Sequence, residues 1–304
     1  MSQETKNSRQ QQPDPHKRLT PYSLLPTPYS LLLATLLLLA YFAMGMAQVH
    51  HASITFDEGP HLAIGYTTLR TGDFRLQPVH IHPPLANVLA GAPLLLQPDL
   101  PDPRSVDGWD INSLSAVTDA LVWQYPEPAR IATAGRVPIL LLGVLLGSVI
   151  SRWAKDLGGP RAGLLTLALY AFDPNLIAHG SLITTDMAAI FFIVATLYGV
   201  NCELRITNYE LRMADGQTRG KATRLILIGL LLGLAQLAKV SALMLIPVVG
   251  LILLVGAIQV KSQKTKHVSR FTFHVLRSYA LVFLTAALVI WAGYGFHVLS
   301  LIHI

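Results

Sequence analysis

The chain has 304 residues, 52% of them hydrophobic and only 13% charged. Soluble domains carry roughly a quarter charged residues, so this composition excludes an ordinary soluble core and points to a polytopic membrane protein. The formal net charge of +6 comes from short basic tracts between apolar runs, a pattern that reads as membrane topology and not as a nucleic-acid surface.

In chain order, residues 1–28 are polar and rich in Gln, Pro and Ser, and read as a disordered cytoplasmic tail. The run Tyr29 to Val49 is too long for the apolar core of a signal peptide and reads as a retained first span. Further apolar runs cover 134–151, 162–178, 185–201, 225–239, 241–260 and 279–298. The expectation is an all-α, polytopic transmembrane bundle of about seven spans over 29–304. The one cysteine, Cys202, excludes an intramolecular disulfide or a cysteine metal site.

Basic residues set the orientation. The tail, 152–161, 202–224 and 261–277 together hold 17 of the 23 Lys and Arg, so all four face the cytoplasm by the positive-inside rule. Two cytoplasmic connectors are joined by an even number of crossings. The stretch 50–133 and the turn between Asp173 and Asp186 then lie outside. Leu225 to Val260 is 36 residues, too long for one span at about 1.5 Å per residue, and folds as a hairpin with Lys239 near its outer turn. Asp57, Glu58, His82, Asp186 and Lys239 therefore share one face.

The outer loop 50–133 holds nine of the 17 acidic residues. Leu62 to Arg70 and Leu85 to Leu96 read as helices on the membrane surface, and Gln97 to Gly108 as a loop. In the 202–224 insert, Glu203-Leu204-Arg205 recurs as Glu210-Leu211-Arg212, which is read as part of a cytoplasmic linker.

Four features carry chemistry. Asp57-Glu58 follows the first span. Neighbours on a helix face different ways, so one carboxylate can act as base while the other supports it; Thr55 or Asp57 would equally serve as a helix cap. His82-Pro83-Pro84-Leu85 sets a histidine on a rigid elbow, with His80 nearby, a spacing compatible with metal only in an extended strand. Asp186 follows Thr184-Thr185 at a helix start, with His179-Gly180 on the same side. Lys239, between two apolar runs, is either a snorkelling lysine or a phosphate-binding point charge.

In this order, Phe56-Asp57-Glu58, Gly72-Asp73-Phe74, His82-Pro83-Pro84-Leu85, Pro174, His179-Gly180, Thr184-Thr185-Asp186 and Gly229 through Lys239-Val240-Ser241 resemble the membrane glycosyltransferases of the C-type fold. The likeness is to protein O-mannosyltransferases and the bacterial aminoarabinose transferases. That resemblance implies a polyprenyl-phosphate sugar donor, a protein or lipid acceptor, and inverting transfer at the outer face of the plasma (inner) membrane. It implies Asp57 as the base on the acceptor hydroxyl, Glu58 as its support, His82 near donor phosphate or acceptor, and Asp186 as the second acidic motif. Lys239, Arg130 and Arg136 are candidates for the departing phosphate on charge and side, with His179 as a further substrate-binding candidate. No metal or other cofactor is expected, because cations can stabilise the leaving phosphate. Such proteins continue for several more helices, so the resemblance also implies that a chain stopping at Leu301-Ile302-His303-Ile304 is a truncated member. A transporter or flippase of lipid-linked sugars and a noncatalytic glycolipid-binding subunit are the competing readings. A transporter would place its charges near the midplane and show repeats, whereas these charges cluster at one interface.

Overall fold

The computed structural model describes residues 27–78, 82–212, 220–263 and 268–296. The tail up to residue 26, His80 and the last eight residues, Leu301-Ile302-His303-Ile304 among them, lie outside them. Among the described residues the secondary structure is helical throughout.

Helix α1 (Thr27–His51) is rich in Leu, Ala and aromatic residues, and several of its leucines, from Leu31 to Leu39, are exposed. Helix α5 (Pro128–Ala171) is 44 residues long but contains Gly159 at φ 83°, followed by Pro160. Positive φ suits a residue with no Cβ, and the proline ring cannot accept continuation of the preceding turn. The chain reverses there. Ser151 Oγ donates to the carbonyl of Gly163 (3.0 Å), and Tyr170 Oη to that of Gly143 (2.6 Å), so the two limbs are antiparallel. The basic connector expected at 152–161 is the tip of this hairpin.

The span expected over 162–178 is interrupted. The second limb ends at Ala171, and α6 (Pro174–Gly180) follows after a break. The reason is local: Asp173 accepts from the amides of Asn175 and Leu176, both at 2.9 Å, and Pro174 takes the first helical position. Tyr41 Oη bonds the Leu176 carbonyl (3.0 Å) and Ser181 Oγ bonds that of Gly45 (3.3 Å), which lays α6 parallel to α1.

Helix α7 (Thr185–Arg212) runs back and α8 (Lys221–Ala238) returns beside it. Arg224 meets Glu203 at one end of this pair, and Lys239 meets Asp186 at the other. Helix α7 continues through the first part of the 202–224 insert, so the Glu-Leu-Arg duplicate is helical and not linker. Its helix-forming residues extend the helix past the apolar run. A 3₁₀ turn (Val240–Met244) leads into α9 (Leu245–Gln263), and α10 (Val268–Gly293) packs along α8.

The direction of the chain alternates from run to run, as the parity argument requires. Among the described residues, four helical stretches, in α1, α5, α7 and α8, are long and apolar enough to cross a membrane. Exposed leucines on α1, α5, α8, α9 and α10 belt the bundle with apolar surface, the face a lipid solvent favours. Asp156 accepts from Tyr198 Oη (2.7 Å) and its carbonyl accepts from Arg205 (3.1 Å). The tip of the α5 hairpin and the start of the 202–224 stretch thus meet at one end of the bundle.

Between α1 and α5 the chain forms a layer of its own at the opposite end. Helices α2 (Glu58–Thr71), α3 (Leu85–Gly91) and α4 (Leu114–Thr118) contain it, with a 3₁₀ turn over Ala92–Leu96 and a π-turn over Asp119–Trp123. Leu62, Ile64, Ala90, Leu94, Val117, Leu121, Ile131 and Ile183 share a second core. The two helices expected to lie on the membrane surface therefore bury their apolar faces largely against each other, α4 and the top of the bundle. Gly65 and Gly91 allow this. A Cβ on Gly65 would meet the Asn87 carbonyl, and one on Gly91 would meet the Gly65 backbone.

Candidate active site

The residues around Asp57-Glu58 divide into a buried lock and an open face. Glu58 is fully buried. Its carboxylate accepts from Arg136 Nε and Nη2 (both 2.7 Å), the Thr55 amide (2.8 Å) and hydroxyl (3.1 Å), and the Ile183 amide (3.0 Å). Of a capping box only the return contact is present: the glutamate reaches back to the threonine amide, while the threonine hydroxyl donates to the carboxylate instead of accepting from a helix amide. Burial pushes the Glu58 carboxyl up. The hydrogen bonds from Arg136, Thr55 and Ile183 and the Arg136 charge outweigh that, and hold it below its ordinary value.

Arg136, 1% exposed, lies at the third turn of α5. Besides its two bonds to Glu58 it donates through Nη1 to the carbonyls of Val49 (3.0 Å) and Ala52 (2.9 Å), and through Nη2 to that of Ser53 (2.9 Å). All five N–H donors of the guanidinium are engaged. The sequence-based assignment of Arg136 to a departing phosphate does not fit this geometry. The residue instead ties the end of α1, the start of α2, α5 and the approach to α7 into one joint.

Asp57 faces the other way. It sits at the N-cap of α2 with helical φ/ψ (−72°, −25°), makes no capping hydrogen bond and is exposed. The cap expected of Asp57 is not made, because Glu58 and Thr55 close the helix start instead. One turn on, His61 is nearly buried, at 7% exposed. Its Nδ1 lies 2.6 Å from Asn87 Oδ1, and its ring meets His82 edge-on at 5.1 Å between centroids. Asn87 Nδ2 donates to Gln77 Oε1 (3.0 Å), and Gln77 Nε2 donates to the His82 carbonyl. Burial lowers the His61 pKa; the Asn87 hydrogen bond opposes this, His82 adds to it, and Asp57 and Glu58 oppose it.

Asp186 lies in the first turn of α7, three residues after the Ile183 amide that binds Glu58. It forms an ion pair with Lys239, the extended residue that ends α8; both are partly exposed. Arg130 pairs with Asp99, Tyr125 and Glu127 on the surface of the layer. The Tyr125 hydroxyl, followed by Arg130, keeps the Asp99 carboxyl low. His179 is exposed at the end of α6 and makes no side-chain hydrogen bond to a described residue. Among the described residues, no three His, Cys, Asp or Glu side chains converge as metal ligands would.

The structure thus brings Asp57, Glu58 and His82 together, and separately joins Asp186 to Lys239 beside the Glu58 joint. Sequence reasoning missed His61, Asn87 and Gln77. His61 was legible as the i+4 neighbour of Asp57. Asn87 and Gln77 carry no local signal, since only the packing of α3 on α2 aligns them.

The model of the dolichyl-phosphate-mannose-protein mannosyltransferase family matches residues 124–300, more than half of the chain. The match includes Arg130, Arg136, His179, Asp186 and Lys239, and begins after Asp57, Glu58 and His82. No individual curated protein matches the chain. Among solved structures, the S. cerevisiae protein O-mannosyltransferase Pmt1–Pmt2 complex bound to the sugar donor is similar at a TM-score of 0.60 and 17% identity. The similarity covers 90% of this chain and 34% of that one, so the chain spans about a third of that relative's length. At this identity the likeness is one of fold.

Proposed function

Since the chain belongs to the dolichyl-phosphate-mannose-protein mannosyltransferase family, we propose that it carries the acceptor-activating part of a membrane glycosyltransferase. In this reading a sugar moves from a polyprenyl-phosphate donor to a hydroxyl of a protein or lipid acceptor, with inversion, at the outer face of the membrane. The observation that carries it is the contrast between the adjacent carboxylates. Glu58 is buried and saturated with donors, whereas Asp57 is exposed, free of hydrogen bonds to described side chains, and held on a helix start that the Glu58–Arg136 joint makes rigid.

Asp57 accepts the proton of the attacking hydroxyl as its oxygen bonds to the anomeric carbon; the bond to the lipid phosphate breaks from the opposite side. Lys239 stabilises the charge that develops on that phosphate, exchanging part of its contact with Asp186 for the phosphate oxygens. His82, half-buried beside His61, lines the acceptor side. Arg136 acts through Glu58 and not on the phosphate. The reaction needs no metal in this scheme, because lysine supplies the positive charge; transfer that survives chelation by EDTA is the corresponding expectation.

The test is transfer of radiolabelled mannose from polyprenyl-phosphate mannose in membranes carrying the full-length protein. Asp57→Asn keeps the side-chain shape and removes the base, and transfer falls by about 10²- to 10⁴-fold. Transfer at the wild-type rate in a correctly inserted Asp57→Asn protein overturns the assignment. Movement of lipid-linked sugar across vesicles with no covalent product supports a flippase instead.

A further inference from the structure

The polar chain beneath Asp57 has a direction that settles which nitrogen of His61 carries the proton. The backbone carbonyl of His82 can only accept, so the Gln77 atom that meets it is the amide nitrogen. Gln77 therefore turns Oε1 towards Asn87, whose Nδ2 donates to it at 3.0 Å. That leaves Asn87 with its oxygen towards His61, 2.6 Å from Nδ1. An acceptor at that position requires the proton on Nδ1, and the neutral ring then carries its lone pair on Nε2. Asn87 is fully buried, so water does not substitute for it.

This chain is costly for the fold. Three polar side chains, none more than 8% exposed, lie between α2 and α3, where two glycines already bring the backbones together. Leu, Ala and Val would pack there without the need for partners. What the arrangement secures is a single hydrogen-bond acceptor. It is Nε2 of a histidine one helical turn from the Asp57 carboxylate, with no hydrogen-bond partner among the described residues.

On the reading of Asp57 as the base, we propose that His61 is a second hydroxyl-binding residue of the site. Its Nε2 accepts a hydrogen bond from a substrate hydroxyl, and Asn87 and Gln77 act as positioning residues that hold it in that state. The charged and titratable groups facing it are Asp57 and Glu58 from its own helix, His82 before α3, and Arg136 behind Glu58. The hydroxyl belongs either to the incoming acceptor or to the donor sugar, and kinetics separate the two.

The experiment uses the full chain in detergent with ¹⁵N-labelled histidine. Wild type shows a protonated Nδ1 and an unprotonated Nε2 for the ring whose signals vanish in His61→Asn; a proton on Nε2 overturns the inference. In transfer assays His61→Asn keeps a donor towards Asn87 but has no acceptor at the position of Nε2, and raises one KM by about tenfold, the size of one lost hydrogen bond. A raised acceptor KM assigns the acceptor hydroxyl, and a raised polyprenyl-phosphate mannose KM assigns the sugar hydroxyl. Both unchanged means a packing network only, and the proposal fails. Asn87→Asp places a carboxylate against Nδ1 and moves the acid limb of the pH–rate profile to higher pH; an unmoved limb in a folded variant also overturns it. Wild type without transfer but with the Nδ1 tautomer defeats the glycosyltransferase reading alone. An active wild type with the other tautomer defeats only the role of His61.

Discussion

The Glu58 carboxylate and the Arg136 guanidinium, 78 positions apart in the chain, meet in a two-pronged pair with both contacts at 2.7 Å and both side chains fully enclosed. The remaining donors of Arg136 close on three carbonyls at the end of α1. Everything that aims Asp57 passes through this joint.

Breaking the joint on one side leaves a buried charge without its partner. Arg136→Met is expected to lower stability by about 3–5 kcal/mol, and Glu58→Gln by a similar or smaller amount because the amide keeps part of the network. Thermal unfolding in detergent measures both. The pH dependence follows from the sign of the shift. Because folding depresses the Glu58 pKa, its contribution is present above the ordinary value of 4.5 and is lost as pH falls through the lower folded value. Arg136→Met lacks that acid-side loss, and unfolding midpoints measured between pH 6 and pH 3 show the difference.

The Asp186–Lys239 pair is partly exposed, so it contributes little to stability, about 1 kcal/mol or less. Its expected importance is chemical. Lys239→Ala reduces the rate of sugar transfer by about 10²-fold, of the order seen when one stabilising donor is removed, while the unfolding midpoint stays close to wild type. Lys239→Arg restores part of the rate. Equal losses of stability and rate would instead mark the pair as structural.

Gly65 faces the Asn87 carbonyl with no room for a methyl group. Gly65→Ala forces α2 and α3 apart, at a cost of about 1–3 kcal/mol. Because Asn87 moves with α3, the His61 contact loosens too. The expected phenotype is a lower unfolding midpoint together with reduced transfer; Gly72→Ala, on the exposed left-handed cap of the same helix with open space around it, leaves the His61 contact intact.

The sidedness of the site is accessible to labelling. In a Cys202→Ser background, Asp110→Cys, in the exposed part of the layer between α1 and α5, reacts with a membrane-impermeant maleimide on intact cells, whereas Lys155→Cys, near the tip of the α5 hairpin, reacts only after lysis. The reverse pattern would place the site on the cytoplasmic side.

Much of the fold was legible in the residues themselves. Long apolar runs, the basic tracts between them and the parity of crossings grouped Asp57, His82, Asp186 and Lys239 at one end of the bundle, and the contacts at both ends agree. Local signals that were present but outweighed by hydropathy explain two departures. Asp173-Pro174 breaks the run 162–178, and the Glu-Leu-Arg residues carry α7 past its apolar core.

By itself, the sequence determined the solvent each segment prefers, because hydropathy and charge are properties of residues and need no partners. Composition and spacing also marked Asp57 and Glu58 as unusual, and the family resemblance alone suggested which would be the base. Only the tertiary structure gave the two carboxylates physically different surroundings. A guanidinium reaching Glu58 from α5 and an amide from the approach to α7 saturate that carboxylate, and the helix geometry then turns its neighbour outward. The same holds for His61. Its tautomer follows from a chain of hydrogen bonds through Asn87 and Gln77, whose alignment depends on two glycines letting α2 and α3 touch. Long-range pairing of directional groups cannot be read from neighbours in sequence, since each donor and acceptor has its role only once its partner is fixed.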